Sequence, residues 1–244
     1  MAWCYFRNLM LHTQAFMHKS WLIIFLFFFA SVVHAQKKSL PFTLQVVLNG
    51  KLVQSHEPLI INEKGDSMTI SKLKFYLSNF VLKREGQPIK ATLPQYFLFD
   101  LDDSVIDHQS KNAISWDGID FVFGVDSSTQ AAGVMDGVLD PLNGMYWTWQ
   151  SGYIHFKLEG TLNCIDGTKQ NLSLHLGGYR YPNNSIKMVS LLSVDKVAPN
   201  IIELDVTELL QQVQIKQQYH IMSPGNMAIE LSEILAHSFR FSQP

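Results

Sequence analysis

Two histidines stand where metal chemistry is conceivable. His155 lies between Ile154 and Phe156, and His175 between Leu174 and Leu176. Successive side chains of a strand point to opposite faces, so each imidazole points away from the side its apolar neighbours fill. If the two strands are neighbours the imidazoles converge, and imidazole suits copper and zinc. The same pattern also fits two histidines on an ordinary polar sheet face. Residues 144–160 add Met145, Tyr146, Trp147, Trp149 and Tyr153, including two of the chain's five tryptophans. Cu(I) accepts low coordination by soft donors, so imidazoles with the Met145 thioether would make a sufficient set. Met145 and the indoles equally suit a plain aromatic core. Gly177-Gly178, just after His175, permits close backbone approach or a bulge.

The remaining candidates are weaker in kind. Cys164 can be a nucleophile or a soft ligand, but a lone cysteine at a strand end reads better as a packed bystander. His56 and His108 fall in loop-like sequence, and His220 and His237 in the C-terminal part. Asp126, Asp136, Asp140 and Asn143 offer oxygen ligands of the kind calcium takes, although their spacing is not that of an EF-hand and such residues are common in turns. A nucleophile elbow, a His-Glu-x-x-His zinc motif and a phosphate loop are all missing, so the sequence points away from an enzyme.

The elements that must carry these residues read as strands. Residues 40–53 alternate, with Asn49-Gly50 as a hairpin turn. Residues 67–82 place Leu73, Phe75 and Leu77 on one face and Lys72, Lys74, Tyr76 and Ser78 on the other. Further strands are read at 96–101, 117–125, 170–179, 186–191 and 200–206, and residues 126–143 as a long connection. Residues 145–159 read as one aromatic strand. Its alternation brings the tryptophans to the Ile154 side only if a β-bulge sits at Ser151-Gly152. A short helix is expected over 207–213, capped by Asp205 or Thr207. A second, capped by Asn226, follows from the spacing of Met227, Leu231, Ile234 and Leu235. The sum is an all-β fold, a two-sheet antiparallel β-sandwich with one or two short helices, one of them near the C-terminus.

The first 35 residues read as a signal peptide. An apolar run over 20–30 follows His18-Lys19 and precedes Val33-His34-Ala35, with cleavage expected after Ala35 and Met17 a possible start. The run is shorter than the roughly 20 residues that span a bilayer comfortably. Residues 36–244 then form one domain, secreted or periplasmic, in which Cys164 has no partner for a disulfide. A net charge of −2 without a basic stripe gives no footprint for nucleic acid.

Several blocks carry a family resemblance: 65–79, Phe123-Gly124-Val125-Asp126-Ser127, 137–153, Lys157-Leu158-Glu159-Gly160 and His175-Leu176-Gly177-Gly178. With them the chain resembles the MbnP-like copper-binding domain, named for a periplasmic protein associated with the copper chelator methanobactin. The resemblance implies an exported β-sandwich in which histidines and a tryptophan-derived kynurenine hold Cu(I). It also implies a di-haem peroxidase partner that oxidises the tryptophan. The motif makes that tryptophan Trp147 or Trp149 and matches His175 to a ligand position. A metal-free alternative is an envelope binding module that uses the 126–143 loop and the aromatic strand as its contact surface.

Overall fold

An 18-residue strand, β4 (Ser67–Arg84), is the element from which most of the structure hangs. The computed structural model describes residues 40–103, 115–147, 151–193 and 201–242, all within the compact unit Lys38–Pro244. The expected signal peptide, His108 and Trp149 lie outside the described residues.

Before β4 come β1 (Thr43–Leu48), β2 (Lys51–Leu52) and β3 (Pro58–Ile60). After it come β5 (Gln87–Pro88), β6 (Tyr96–Asp100), β7 (Gly118–Phe123), β8 (Ile154–Asn163), β9 (Lys169–Gly177), β10 (Tyr179–Arg180), β11 (Asn183–Asn184) and β12 (Lys187–Leu192). The chain ends through β13 (Ile201–Asp205), β14 (His220–Ile221) and β15 (Phe239–Phe241). Among the described residues one sheet runs β15-β13-β1-β2 and a larger one β12-β7-β4-β8-β9-β14, with β3, β5 and β6 also joined to β4. Strand β4 pairs with β8 along its first half and with β7 along its second, while β6 takes Lys74 to Ser78.

The all-β, two-sheet sandwich-like reading agrees with this architecture. Two pairings within it are parallel, β1 with β13 and β9 with β14. Parallel partners need a long crossover, and here most of the chain lies between β1 and β13. Among the described residues there are three α-helices: α1 (Ser127–Ala132), α2 (Thr207–Lys216) and α3 (Asn226–His237). The N-cap of α2 is Val206, without a side-chain cap, and not Asp205 or Thr207; Asp205 still accepts hydrogen bonds from the Thr207 backbone N–H and hydroxyl just before the helix. Asn226, expected to cap α3, is instead its first residue, and Gly225 precedes it without a side-chain cap. Leu231 and Leu235 of α3 are fully buried, as the spacing required.

The inner faces meet in one apolar core. Leu44, Val46, Ile202, Leu204 and Phe239 come from the smaller sheet, and Leu73, Phe75, Phe121, Phe123, Phe156 and Leu174 from the larger. Phe75 lies at its centre, stacked on Phe99 at 4.7 Å between centroids and within 6.3 Å of Phe123, Phe156 and Phe239. A second cluster occupies the other face of β4. It gathers Tyr76, Val125, Leu139, Met145, Tyr153 and Ile154. The connection 126–143 forms part of this cover, and it is structured, containing α1 and two single-turn 3₁₀ helices, Gly137–Leu139 and Pro141–Asn143.

Truncating a central core aromatic should be expensive and truncating an exposed leucine should not. Phe75→Ala is expected to lower unfolding free energy by about 3–5 kcal/mol. Leu142→Ala, at a side chain 93 % exposed, should change it by less than about 0.5 kcal/mol. Denaturant titration of both variants checks the contrast.

Candidate functional site

The aromatic segment is a hairpin, not a kinked strand. The Ile154 N–H donates to the Met145 carbonyl at 2.9 Å, the Trp147 N–H donates to the Gly152 carbonyl at 3.1 Å, and Tyr146 bridges antiparallel to Tyr153. The chain therefore reverses between Trp147 and Gly152, where the sequence reading placed a bulge at Ser151-Gly152. The irregularity lies elsewhere. The β8–β9 register shifts between Ile154 and Phe156, which leaves His155 as the extra residue.

That shift separates the two histidines. His155 is fully buried in a chain of hydrogen bonds. The Gln130 side-chain amide donates to the Val125 carbonyl at 3.0 Å and lies 2.5 Å from His155 Nε2, while its oxygen accepts the Tyr153 N–H at 2.9 Å. His155 Nδ1 meets Ser185 Oγ at 3.1 Å, and that hydroxyl donates to the Gly178 carbonyl at 3.3 Å. Amide nitrogen can only donate, so Nε2 accepts and Nδ1 carries the proton. Both ring nitrogens are thus committed, and no lone pair is left for a metal. A Cβ on Gly124 would come within 2.9 Å of the His155 ring, so only glycine leaves this ring its place. Burial lowers the His155 pKa to about 3, and the ring is neutral at physiological pH.

His175 sits in a different environment, on the opposite face from Leu174 and Leu176. Its cross-strand partner is Lys157, and its Nε2 lies 2.8 Å from Glu159 Oε1. Glu159 also faces Lys72 at 3.7 Å. Burial lowers the His175 pKa, Glu159 opposes that shift, and the Lys157 ammonium adds to it. Burial also lowers the pKa of Lys157, whose ammonium donates to the Gly144 carbonyl. Glu159 is held below the usual carboxylate range: burial opposes ionisation, but the His175 hydrogen bond and the nearby cations outweigh it.

Trp147 approaches the same strand. A Cβ on Gly177 would fall 2.8 Å from the Trp147 benzo ring, so the indole lies against the bare backbone of Gly177. Gly177 and His175 share a face, two residues apart along β9. Trp147 Nε1 is buried without a hydrogen-bond partner among the described residues. Met145 is fully buried in the second cluster, against which Trp147 also packs. His155 and His175 have separate hydrogen-bond partners, Gln130 and Ser185 for the first and Glu159 for the second; Trp147 reaches the His175 strand at Gly177 and packs against the cluster that holds Met145.

Two aspartates of the 126–143 segment, Asp126 and Asp140, cap turns with their side chains, whereas Asp136 makes no such cap bond. Asp126 caps α1, accepting from the Thr129 N–H at 2.9 Å, from the Tyr96 hydroxyl at 2.6 Å and from the Ser128 hydroxyl. Burial raises its pKa, yet these hydrogen bonds prevail and lower it to about 2. Asp140 caps the next turn through the Leu142 N–H. Cys164 is half-buried, with its N–H tied to the Thr168 carbonyl. Exposed His56 has a φ of 64° and uses its N–H on the Ile70 carbonyl.

A Cu(I) ion asks for neutral, soft donors in low coordination. His175 and the neighbouring Met145–Trp147 arm fit that demand. Among the described residues no group of three or more His, Cys, Asp or Glu gathers as a multi-ligand zinc site would need. Sequence reading missed Gln130 and Ser185, because a buried amide inside a loop-like stretch carries no pattern. Alternation puts Glu159 on the face opposite Leu158, but nothing in the sequence names its partner.

The buried neutral imidazole makes a pH prediction. The unfolded histidine titrates near 6.5 and the folded one near about 3, so the unfolded state binds the extra proton between these values. The contribution is complete above the unfolded value and is lost as pH falls from there toward the folded one, at up to about 1.4 kcal/mol per pH unit. His155→Gln should be less stable at neutral pH, and its deficit should shrink on acidification. Denaturant titrations of both proteins across that window test it.

The MbnP family model matches residues 37–227. Among solved structures, MbnP from Methylosinus trichosporium is similar at 17 % sequence identity with a TM-score of 0.49, over 70 % of this chain and 76 % of that one. No curated protein matches.

Proposed function

The chain belongs to the MbnP family, and from that premise we propose that it is an exported protein that binds Cu(I) at His175 beside Trp147. The observation that carries this reading is the shared face of β9, where His175 stands two residues from Gly177 and the Trp147 indole lies against that glycine. His175 would hold the ion, and the Met145 thioether is the soft donor proposed to complete the set. Bound copper would supply a redox-capable soft cation, and the chain's own residues supply a neutral ring and a water-poor apolar wall. His155 is left out of the donor set because its nitrogens are committed to Gln130 and Ser185.

Trp147 is the proposed site of conversion to kynurenine, with a di-haem peroxidase as the oxidising partner. The unpartnered Nε1 supports choosing it, since no hydrogen bond has to be broken when the ring is opened. A second reading has its own observation: Val134, Met135, Val138 and Leu142 are all exposed apolar side chains on the 126–143 segment. Such a patch suits contact with an envelope partner. The two readings are compatible if that partner is the oxidase.

Cu(I) titration against a competing chelator tests the main reading. His175→Ala should weaken binding strongly, whereas His155→Gln should leave the affinity of the folded protein nearly unchanged. Equal affinity in wild type and His175→Ala would sink the assignment. Because the ligand must be neutral and the His175 pKa is lowered by burial, affinity should persist to below about pH 6.5 before proton competition reduces it. After co-expression with a di-haem peroxidase, the peptide containing Trp147 should gain about 4 Da, as tryptophan-to-kynurenine conversion requires.

A further inference from the structure

The outer face of β9 presents Ser173, His175 and Gly177 in succession, a small side chain on either side of one imidazole. On β8 the residue opposite His175 is Lys157 and the residue opposite Ser173 is Glu159. Diagonal cross-strand neighbours are about 7–8 Å apart, within reach of a long side chain when the directly opposite residue is short. Ser173 is short, so Glu159 extends past it and meets His175 Nε2 at 2.8 Å. Gly177, on the other side, leaves its space to Trp147.

We propose that Glu159 is the positioning residue of this site: it fixes His175 in the tautomer that keeps its proton on Nε2 and leaves Nδ1 as the basic nitrogen. The reasoning is one of donors and acceptors. An ionised carboxylate only accepts, so a neutral imidazole facing it must turn its N–H toward it. A neutral ring has one proton, and its lone pair then lies on Nδ1. Among the described residues Nδ1 has no hydrogen-bond partner. Lys72 faces the second oxygen of Glu159, at 3.7 Å, and keeps the carboxylate charged and aimed. Free histidine in water exchanges between both tautomers, and here the carboxylate confines the ring to one. Carboxylate–imidazole pairs of this kind orient metal ligands and raise their basicity. The tautomer assignment stands on the metal-free geometry; its consequence for copper rests on the ligand reading of His175.

Nitrogen chemical shifts of the His175 ring, measured on the metal-free protein, test the assignment directly. Wild type is expected to show protonated Nε2 and unprotonated Nδ1. Glu159→Gln can accept or donate and should loosen that preference, and Glu159→Ala should give a mixture. Cu(I) affinity, by chelator competition, should then fall roughly tenfold to a hundredfold in Glu159→Ala and less in Glu159→Gln. A wild-type ring protonated on Nδ1 overturns the proposal, whether or not the alanine variant folds, and so does a Glu159→Ala ring with an unchanged tautomer. The expected tautomer in a wild-type protein that takes up no Cu(I) supports the positioning role and overturns the copper reading instead.

Discussion

Burial of β4 on both of its faces at Phe75–Ser78 is the constraint on which the site end of the molecule depends. Alternation alone gives this strand a dry face and a wet one. Yet Tyr76 and Ser78, on the nominally wet face, are as inaccessible as Phe75 and Leu77. Each buried polar group must then find a partner. Ser78 Oγ donates to the Gly124 carbonyl, and the Tyr76 hydroxyl donates to the Val138 carbonyl. These bonds tie the covering segment to the strand it covers, and Asp126 and Asp140 cap its turns from within.

Beneath that cover the chain has solved two polar problems separately. His155, displaced by the bulge in β8, is locked among Gln130, Ser185 and Gly124, linking α1, the aromatic hairpin and the segment after β11. Its role is that of a neutral hydrogen-bonding hub. Such a hub favours one arrangement of the surrounding loops, because any other leaves several polar groups unpaired at a cost of about 1–3 kcal/mol each. His175 lies in a looser setting, with a carboxylate on one nitrogen, an indole alongside and a lysine opposite. The difference between a structural and a candidate functional histidine is here a difference in what remains free on the ring.

The charged strip around His175 follows from sheet pairing. Lys72 and Lys74 of β4 lie opposite Glu159 and Lys157 of β8, and Asp100 of β6 joins Lys74 at 2.6 Å. Lys72 thus faces an opposite charge, whereas Lys74 faces the like charge of Lys157 and is offset by Asp100 from the other side. Partly buried pairs of this kind are screened less by salt than fully exposed ones. They therefore give the His175 ring a more persistent electrostatic surrounding than a solvated surface would.

The sequence by itself determined the longer strands and their inward faces. Alternation at Leu73, Phe75 and Leu77 identified the inward face of β4, and Asn49-Gly50 marked the first hairpin. The spacing of Leu231 and Leu235 identified the buried side of α3. The blocks around His175 and Trp147 also carried the family. These features are local, and burial of an apolar face follows directly from the period of the chain. Only the tertiary structure decided which histidine is available. A bulge reverses side-chain direction through a pairing register that involves another strand, so His155 and His175 look alike in sequence and end in different surroundings. The partners Gln130, Ser185 and Glu159 come from positions with no periodic signature, because a hydrogen bond between distant residues depends on where the chain brings them and not on what precedes them.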